Sequence, residues 1–158
     1  MDKTKLDTLD NDIIRLLTEN GRIQIGKMVK KLNVTAPTVR NRIKGLEKNG
    51  IFKISGLIDP SRHREMITAL VAISVRSNGK LDQILDKISQ LPNVAWAGVV
   101  TGRYDIFAEV ICVEGKDELY RFTTDTIIKM GNVVRSETFI IMKSRNNWLQ
   151  IPKGVEGI

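Results

Sequence analysis

The sequence has few of the residues on which catalytic and metal sites usually depend. It contains one cysteine, Cys112, and one histidine, His63, among 158 residues. A single cysteine excludes an intrachain disulfide framework and a multi-cysteine zinc site. The single histidine removes most hydrolase and metalloenzyme arrangements, and no phosphate-binding loop or nucleophile-elbow motif is present. We therefore predict no catalytic residue, no metal site, no cofactor and no enzymatic activity.

Long apolar runs are missing as well. The longest mainly apolar run, residues 69–75, is far shorter than the roughly 20 residues that a membrane helix needs. The first ten residues have no apolar signal core, so we expect no secretory signal. The composition, with 42% hydrophobic and 27% charged residues, is that of a folded chain of one domain or two small ones. We expect a cytoplasmic protein that does not bind membranes.

Positive charge is concentrated in the first part of the chain. Residues 1–65 carry 14 basic and 8 acidic side chains, a net charge of +6, whereas residues 66–158 carry +1. Between residues 27 and 53, eight basic side chains stand against Glu47 alone. This distribution is typical of a domain that contacts a polyanion. Charge alone leaves two interpretations open, nucleic-acid binding and a solvated basic face.

Apolar periodicity predicts three short helices in this basic part. Leucine and isoleucine recur at helical spacing from Leu6 to Leu17, with Asp7 or Thr8 as N-cap, and a second helix is predicted over residues 23–32. After a tight connection, Thr35 is placed to cap a third helix that ends at Asn49-Gly50. Three helices with a tight turn between the second and third are typical of a helix-turn-helix.

The third helix has a buried stripe and an opposite polar face. Val39, Ile43 and Leu46 mark the stripe, and the other face carries hydrogen-bonding and basic side chains. We predict that Thr38, Asn41 and Lys44 contact base edges and that the neighbouring cations contact phosphates. The alternative is an exposed amphipathic helix without a DNA partner. The predicted DNA-binding residues are Thr38, Arg40, Asn41, Arg42, Lys44, Lys48 and Lys53.

The remainder of the chain alternates strand and helix patterns. Residues 51–58 are predicted as a strand or wing, and the polar, proline-containing segment 59–65 as a hinge. The order that follows is β-α-β-β-α-β, the ferredoxin-like arrangement, so the fold class is α+β. Because two helices cover only one face of such a sheet, a partner subunit is expected on the other. The predicted parts are residues 1–58 (helix-turn-helix domain), 59–65 (hinge), 66–145 (ferredoxin-like domain) and 146–158 (tail).

Several segments together resemble a known family. They are Leu6-Asp7 with Asp10, Asn20-Gly21-Arg22, and residues 38–51, 99–105 and 134–142. In this order the chain resembles the Lrp/AsnC family, the leucine-responsive or feast/famine transcription regulators, over roughly residues 6–143. The resemblance implies a sequence-specific regulator that binds double-stranded DNA. It also implies a homodimer formed through the sheets, often assembled further into an octamer, and an amino-acid effector bound at a subunit interface.

The resemblance places the effector near the Gly-x-Tyr-Asp turn. The glycine turn exposes backbone N–H groups for a carboxylate, and Asp105 is an acceptor for an α-ammonium group. The alternative is an ordinary hairpin turn with sheet hydroxyls. The effector-binding residues implied by the resemblance are Thr101, Gly102, Arg103, Tyr104, Asp105, Ser136 and Thr138.

Two other functions remain open from the sequence. Siroheme decarboxylases resemble the same family, so an enzyme on this scaffold is one alternative. The other is an architectural protein that binds DNA without sequence preference, because base preference cannot be read from one chain.

Overall fold

The computed structural model describes residues 5–76 and 81–155. The chain divides into two compact units, Met1–Gly56 and Leu57–Ile158. Within the described residues no helix is long and apolar enough to cross a membrane.

The N-terminal unit consists of three helices, as predicted. Helix α1 spans Thr8–Glu19, α2 spans Ile25–Leu32 and α3 spans Ala36–Lys48. Apolar side chains from all three helices form one small core, in which Phe52 also packs. Its buried members are Ile13, Leu17, Met28, Val39 and Leu46.

Capping side chains set where these helices begin. Asp7 caps α1 in a capping box, in which Asp7 and Asp10 each accept a hydrogen bond from the other's backbone N–H. Thr35 caps α3, accepting from the N–H of Thr38, and Asn33 adopts a left-handed conformation (φ 52°) in the turn before it. The predicted Thr35 cap and the tight turn are therefore confirmed.

The segment after α3 differs from the prediction. Residues 51–57 pair with no strand in the described chain, so the predicted strand is wrong there. Only Phe52 of this segment packs against the helices, while Ile54 and Leu57 stay exposed. Without a neighbouring strand to bond, the segment remains an extended loop.

The C-terminal unit has the predicted β-α-β-β-α-β order. Its four strands form one antiparallel sheet in the order β2-β3-β1-β4, the ferredoxin-like topology. The elements are β1 (Ile67–Val75), α4 (Leu81–Ser89), β2 (Val94–Val99), β3 (Ile106–Cys112), α5 (Lys116–Arg121) and β4 (Val133–Ile140). Helix α5 continues through a π-helical turn, Phe122–Ile127, into a 3-10 turn, Ile128–Met130.

One face of the sheet packs against the helices. Val71 and Ile73 of β1 and Ile106 and Val110 of β3 are fully buried in this core. Side chains alternate between faces along a strand, so their sequence neighbours point to the opposite side. The buried core members are Ala69, Val71, Ile73, Ile84, Ile88, Val94, Ile106, Ala108, Val110, Cys112, Leu119, Phe122 and Ile127.

Two apolar residues of the segment predicted as a tail, Leu149 and Ile151, pack on the opposite face of the sheet. Leu149 exchanges two backbone hydrogen bonds with Ile58, of 2.9 and 3.0 Å, and packs with Met66 and Ile111. Apolar side chains of the tail are buried there because the sheet offers them an uncovered surface. At Gly154 a Cβ atom would lie 2.4 Å from Pro92, so only glycine fits this contact.

The predicted hinge, residues 59–65, is also partly ordered. It starts with a 3-10 turn, Pro60–Arg62, capped by Asp59, and Pro60 is buried. The division between the units falls instead after Gly56. Ile58 is held to Leu149, so the chain from this point belongs with the sheet.

Candidate functional site

The outer surface of α3 presents most of the predicted DNA-binding side chains. Arg40, Asn41, Lys44 and Lys48 are exposed on this helix. Thr38 is half-buried, and its Oγ1 lies 2.8 Å from Oγ1 of Thr35 at the helix start. The buried residues of the helix are Val39 and Leu46, and Ile43, the third residue of the predicted stripe, is partly buried against the same core. One helix thus separates its packing side from a polar and cationic side.

Arg42 is arranged differently from the other cations of α3. Its Nη1 donates to Asp7 Oδ2 at 2.5 Å and to Asp10 Oδ1 at 3.1 Å. The Arg42 side chain is 41% exposed, that of Asp7 49% and that of Asp10 13%. The backbone N–H of Asp10, followed by the guanidinium, lowers the pKa of Asp7. Hydrogen bonds to Asp7 and then Asp10 raise the pKa of Arg42 above its usual value.

Lys53 lies outside the helix. It is exposed in the extended loop after α3. The N-terminal unit therefore carries the predicted cations on two segments, α3 and this loop.

The Gly-x-Tyr-Asp turn joins β2 to β3 in the C-terminal unit. Thr101, Gly102 and Arg103 are exposed, and Gly102 has a φ of 123°, which favours glycine. A backbone hydrogen bond from Val100 N–H to Asp105 O, 3.0 Å long, closes the turn. The turn thus presents its backbone to solvent.

Asp105 connects this turn to β1. Its N–H donates to Ile73 O at 2.9 Å, and its carboxylate Oδ2 accepts from Val75 N–H at 2.8 Å. The pairing of β1 with β4 is irregular between Ser74 and Val75. The Asp105 carboxylate therefore supplies an acceptor, Oδ2, for a strand-end N–H.

Tyr104 lies in a polar cluster that the sequence analysis did not foresee. Its hydroxyl donates to Glu137, and the Arg135 guanidinium lies 5.7 Å from the centre of its ring. Arg135 also pairs with Glu137 at 3.3 Å. Finding Glu137 and Arg135 requires the register of β4 against β1, because they lie more than 30 residues from Tyr104.

Ser136 and Thr138 lie on the other face of β4. They pair with Ile73 and Val71, two residues of the helix-covered core, whereas Glu137 between them has the opposite orientation. Thr138 lines a groove beside α5 together with Tyr120 and Thr123. The seven predicted effector residues therefore do not form one site within a single chain.

The thiol of Cys112 is not accessible to solvent. Cys112 is fully buried in the sheet core, and burial raises the pKa of its thiol to about 12. Across residues 5–76 and 81–155, no group of three or more His, Cys, Asp or Glu side chains is placed to hold a metal ion.

Comparisons with known proteins match both units. The family model for the Lrp/AsnC ligand binding domain matches residues 68–147, and a winged helix-turn-helix DNA-binding model matches residues 6–53. A relative, an uncharacterised HTH-type transcriptional regulator of Pyrococcus horikoshii, is 34% identical over 140 residues, which cover 88% of this chain and 87% of the relative.

Solved structures share the fold. AsnC of E. coli superposes with a TM-score of 0.71 at 24% identity, covering 89% of this chain and 95% of that one. A Neisseria meningitidis transcriptional regulator, solved as a complex with L-Met, superposes with a TM-score of 0.72 at 19% identity, covering 96% and 97%. Because the Lrp/AsnC ligand binding domain model matches residues 68–147 and the structure has the helix-turn-helix and the four-stranded antiparallel sheet, the chain belongs to the Lrp/AsnC family of transcriptional regulators.

Proposed function

We propose that α3 is the recognition helix of this regulator and that it enters the major groove of double-stranded DNA. The observation that carries the proposal is its solvent-facing side, where Arg40, Asn41, Lys44 and Lys48 are exposed while Val39 and Leu46 are buried. A recognition helix requires such a surface, since hydrogen-bonding groups contact base edges and cations contact phosphates. The relatives and neighbours named above come from prokaryotes, in which DNA lies in the cytoplasm, and this supports a cytoplasmic location for the protein.

The side chains on α3 divide by chemistry. Thr38, Asn41 and Lys44 are spaced at i, i+3 and i+6, so we assign them to base edges. The exposed cations at both sides are suited to phosphates, to which they bind without regard to sequence. The phosphate contacts are assigned to Arg40, Lys48 and Lys53.

The functional unit would be a homodimer formed through the open face of the sheet. Trp96 and Phe139 are each 46% exposed on this face, next to Leu70 and Phe107. An exposed apolar surface of this kind is typical of an interface, and a second copy carries the same surface. A dimer also supplies two recognition helices for a two-fold symmetric site. Assembly of these dimers into an octamer would use surfaces other than the open face of the sheet.

We assign a small amino acid as effector, bound where subunits meet. The neighbouring Neisseria structure contains L-Met, which supports this ligand class. In this chain the exposed N–H groups near Gly102 suit a carboxylate, and Asp105 Oδ1 suits an ammonium group. Ser136 and Thr138 face elsewhere, so they would contact such a ligand only from another subunit. Coupling of about 1–3 kcal/mol would change DNA affinity roughly 5–150-fold.

Selection of binding sites from random duplexes tests the function. Recovery of one recurring, two-fold symmetric sequence supports a sequence-specific regulator. Retention of duplexes without enrichment of any sequence supports the architectural alternative instead. Addition of siroheme tests the enzymatic alternative, because a shifted and saturable visible absorbance would favour it.

A further inference from the structure

We propose that Arg42 is a positioning residue, which holds α3 against the start of α1, and not a contact to DNA phosphate. The inference rests on the proposed function, in which α3 reads DNA. It replaces the sequence-based assignment of Arg42 to a phosphate. Asp7 and Asp10 are its partners, and we call the three side chains the α1–α3 clamp.

The two carboxylates that form the α1 capping box also accept the hydrogen bonds of the clamp. Asp7 Oδ1 accepts from Asp10 N–H at 2.8 Å, and Asp10 Oδ2 accepts from Asp7 N–H at 3.2 Å. The remaining oxygens, Asp7 Oδ2 and Asp10 Oδ1, both accept from Arg42 Nη1. Each carboxylate thus caps α1 with one oxygen and holds α3 with the other.

The clamp fixes the orientation of α3 against α1 in a way that the apolar core does not. Ile13 and Leu17 of α1 pack with Val39 and Leu46 of α3, but apolar attraction depends little on orientation. The ion pairs join positions 32 and 35 residues apart and end on defined atoms. Because two of the three side chains are about half exposed, we expect the clamp to orient α3 more than to stabilise the fold.

Charge argues against a phosphate at this position. One guanidinium against two carboxylates leaves the cluster with a net charge of −1. A phosphate approaching Arg42 would meet the half-exposed Asp7 carboxylate, and like charges repel. Arg40, two residues earlier on α3, is exposed and belongs to no such ion pair among the described salt bridges, so it serves as the matched control.

DNA titration of the full-length protein at several salt concentrations separates the two roles. For Arg42→Ala we expect affinity for the selected site to fall roughly 5–150-fold, as for one misplaced base contact, with an unchanged slope of log affinity against log salt. For Arg40→Ala we expect a slope shallower by about 0.9 per subunit and equal weakening on selected and random duplexes. A shallower slope for Arg42→Ala would overturn the proposal.

Neutralising the carboxylates distinguishes the two roles of Arg42, because the roles predict changes of opposite sign in DNA affinity. If Arg42 positions α3, Asp7→Asn weakens binding to the selected site, and adding it to Arg42→Ala causes little further loss. If Arg42 contacts phosphate, neutralising Asp7 releases a cation toward DNA and strengthens binding. Asp10→Asn repeats the comparison, and melting curves verify that each variant is folded.

Urea unfolding and amide hydrogen exchange test the clamp without DNA. The clamp predicts faster amide exchange in α3 of Arg42→Ala than in the wild type. It also predicts that the double variant Arg42→Ala with Asp10→Ala is as stable as the less stable of the two single variants. Additive losses with unchanged exchange would overturn it. A wild-type protein that binds no duplex would refute the proposed function alone, and these two measurements would still decide the clamp.

Discussion

The two units assemble their candidate sites in different ways. The N-terminal unit presents most of its proposed DNA-binding side chains along one helix, α3, whose outer face follows from its sequence. The C-terminal unit brings Tyr104 together with Arg135 and Glu137 through strand pairing, across more than 30 residues. A site on one helix can be read from periodicity, whereas a site between strands depends on register.

The units also differ in how much apolar packing supports the site. Among the described residues, five buried apolar side chains hold the three helices together, whereas thirteen buried residues lie between the sheet and its helices. The smaller core leaves more of the N-terminal geometry to caps and ion pairs.

Truncation in the two cores is expected to affect different functions. Ile13→Ala and Ile106→Ala each remove a fully buried side chain, at a cost of about 2–5 kcal/mol. In the helical unit we expect this to abolish DNA binding, since Ile13 is one of only five buried core members. Ile106→Ala is expected to weaken self-association first. Circular dichroism melting, DNA titration and sedimentation of both variants measure the difference, and identical losses would contradict the contrast.

Asp105 tests the strand-assembled site. Asp105→Ala leaves the Val75 N–H without its carboxylate acceptor, at a cost of about 1–3 kcal/mol in stability. Asp105→Asn keeps an acceptor oxygen and is expected to retain most of that stability. Both variants lack the carboxylate for an ammonium group, so both are expected to lose the thermal shift caused by any responsive amino acid. A normal shift in Asp105→Asn would refute the effector role, and no shift in wild type with any of the twenty amino acids at millimolar concentration would do the same.

Asn41 tests the helix-borne site. Asn41→Ala is expected to reduce discrimination between selected and random duplexes by about 1–3 kcal/mol, the value of a bidentate base contact. Gln24, exposed at the N-cap of α2, provides a control amide outside α3. Gln24→Ala is expected to leave discrimination unchanged. Competition titration with both duplexes measures it, and equal effects of the two variants would show the base-edge assignment to be wrong.

Much of the helical unit could be predicted because its signals are local. The Thr35 cap, the turn at Asn33 and the stripe of Val39 and Leu46 each act within a few residues. The sheet order was also predictable, because alternation and turns fix the element sequence and few topologies are compatible with it.

The parts that could not be predicted depend on distant partners. In the sequence, Arg42 is not distinguishable from the other cations of α3. Its ion pairs with Asp7 and Asp10 depend on how α1 packs against α3. Alternation places Ser136 and Thr138 on one face of their strand, but only the pairing with β1 determines which face that is. Leu149 and Ile58 are 91 residues apart, and no local pattern indicates their pairing.

Acid provides the smallest effect that separates the units. The folded pKa of Asp7 is lowered, so its stabilisation is present above the unfolded value of about 4 and is lost as pH falls through the folded pKa. The pKa of Asp59 is lowered too, chiefly by the Ser61 hydroxyl. We expect Asp7→Asn to make the N-terminal unit, and Asp59→Asn the C-terminal unit, less sensitive to the fall of pH below about 4. Amide hydrogen exchange, measured separately for the two units as pH is lowered, checks this expectation. An Asp7→Asn effect in the C-terminal unit, or an Asp59→Asn effect in the N-terminal unit, would contradict it.

The most direct test of the central claim is the salt dependence of DNA affinity in matched lysine variants. The wild-type protein, if its proposed dimer contacts about 6–10 phosphates, should lose roughly 10³–10⁵ in affinity between 50 and 200 mM salt. Lys44→Ala with Lys48→Ala, on the outer face of α3, should weaken binding and make this dependence shallower. Lys87→Ala with Lys116→Ala, exposed in the C-terminal unit, should leave it unchanged. Equal slopes for wild type and both double variants would contradict the assignment of α3 as the DNA-binding surface.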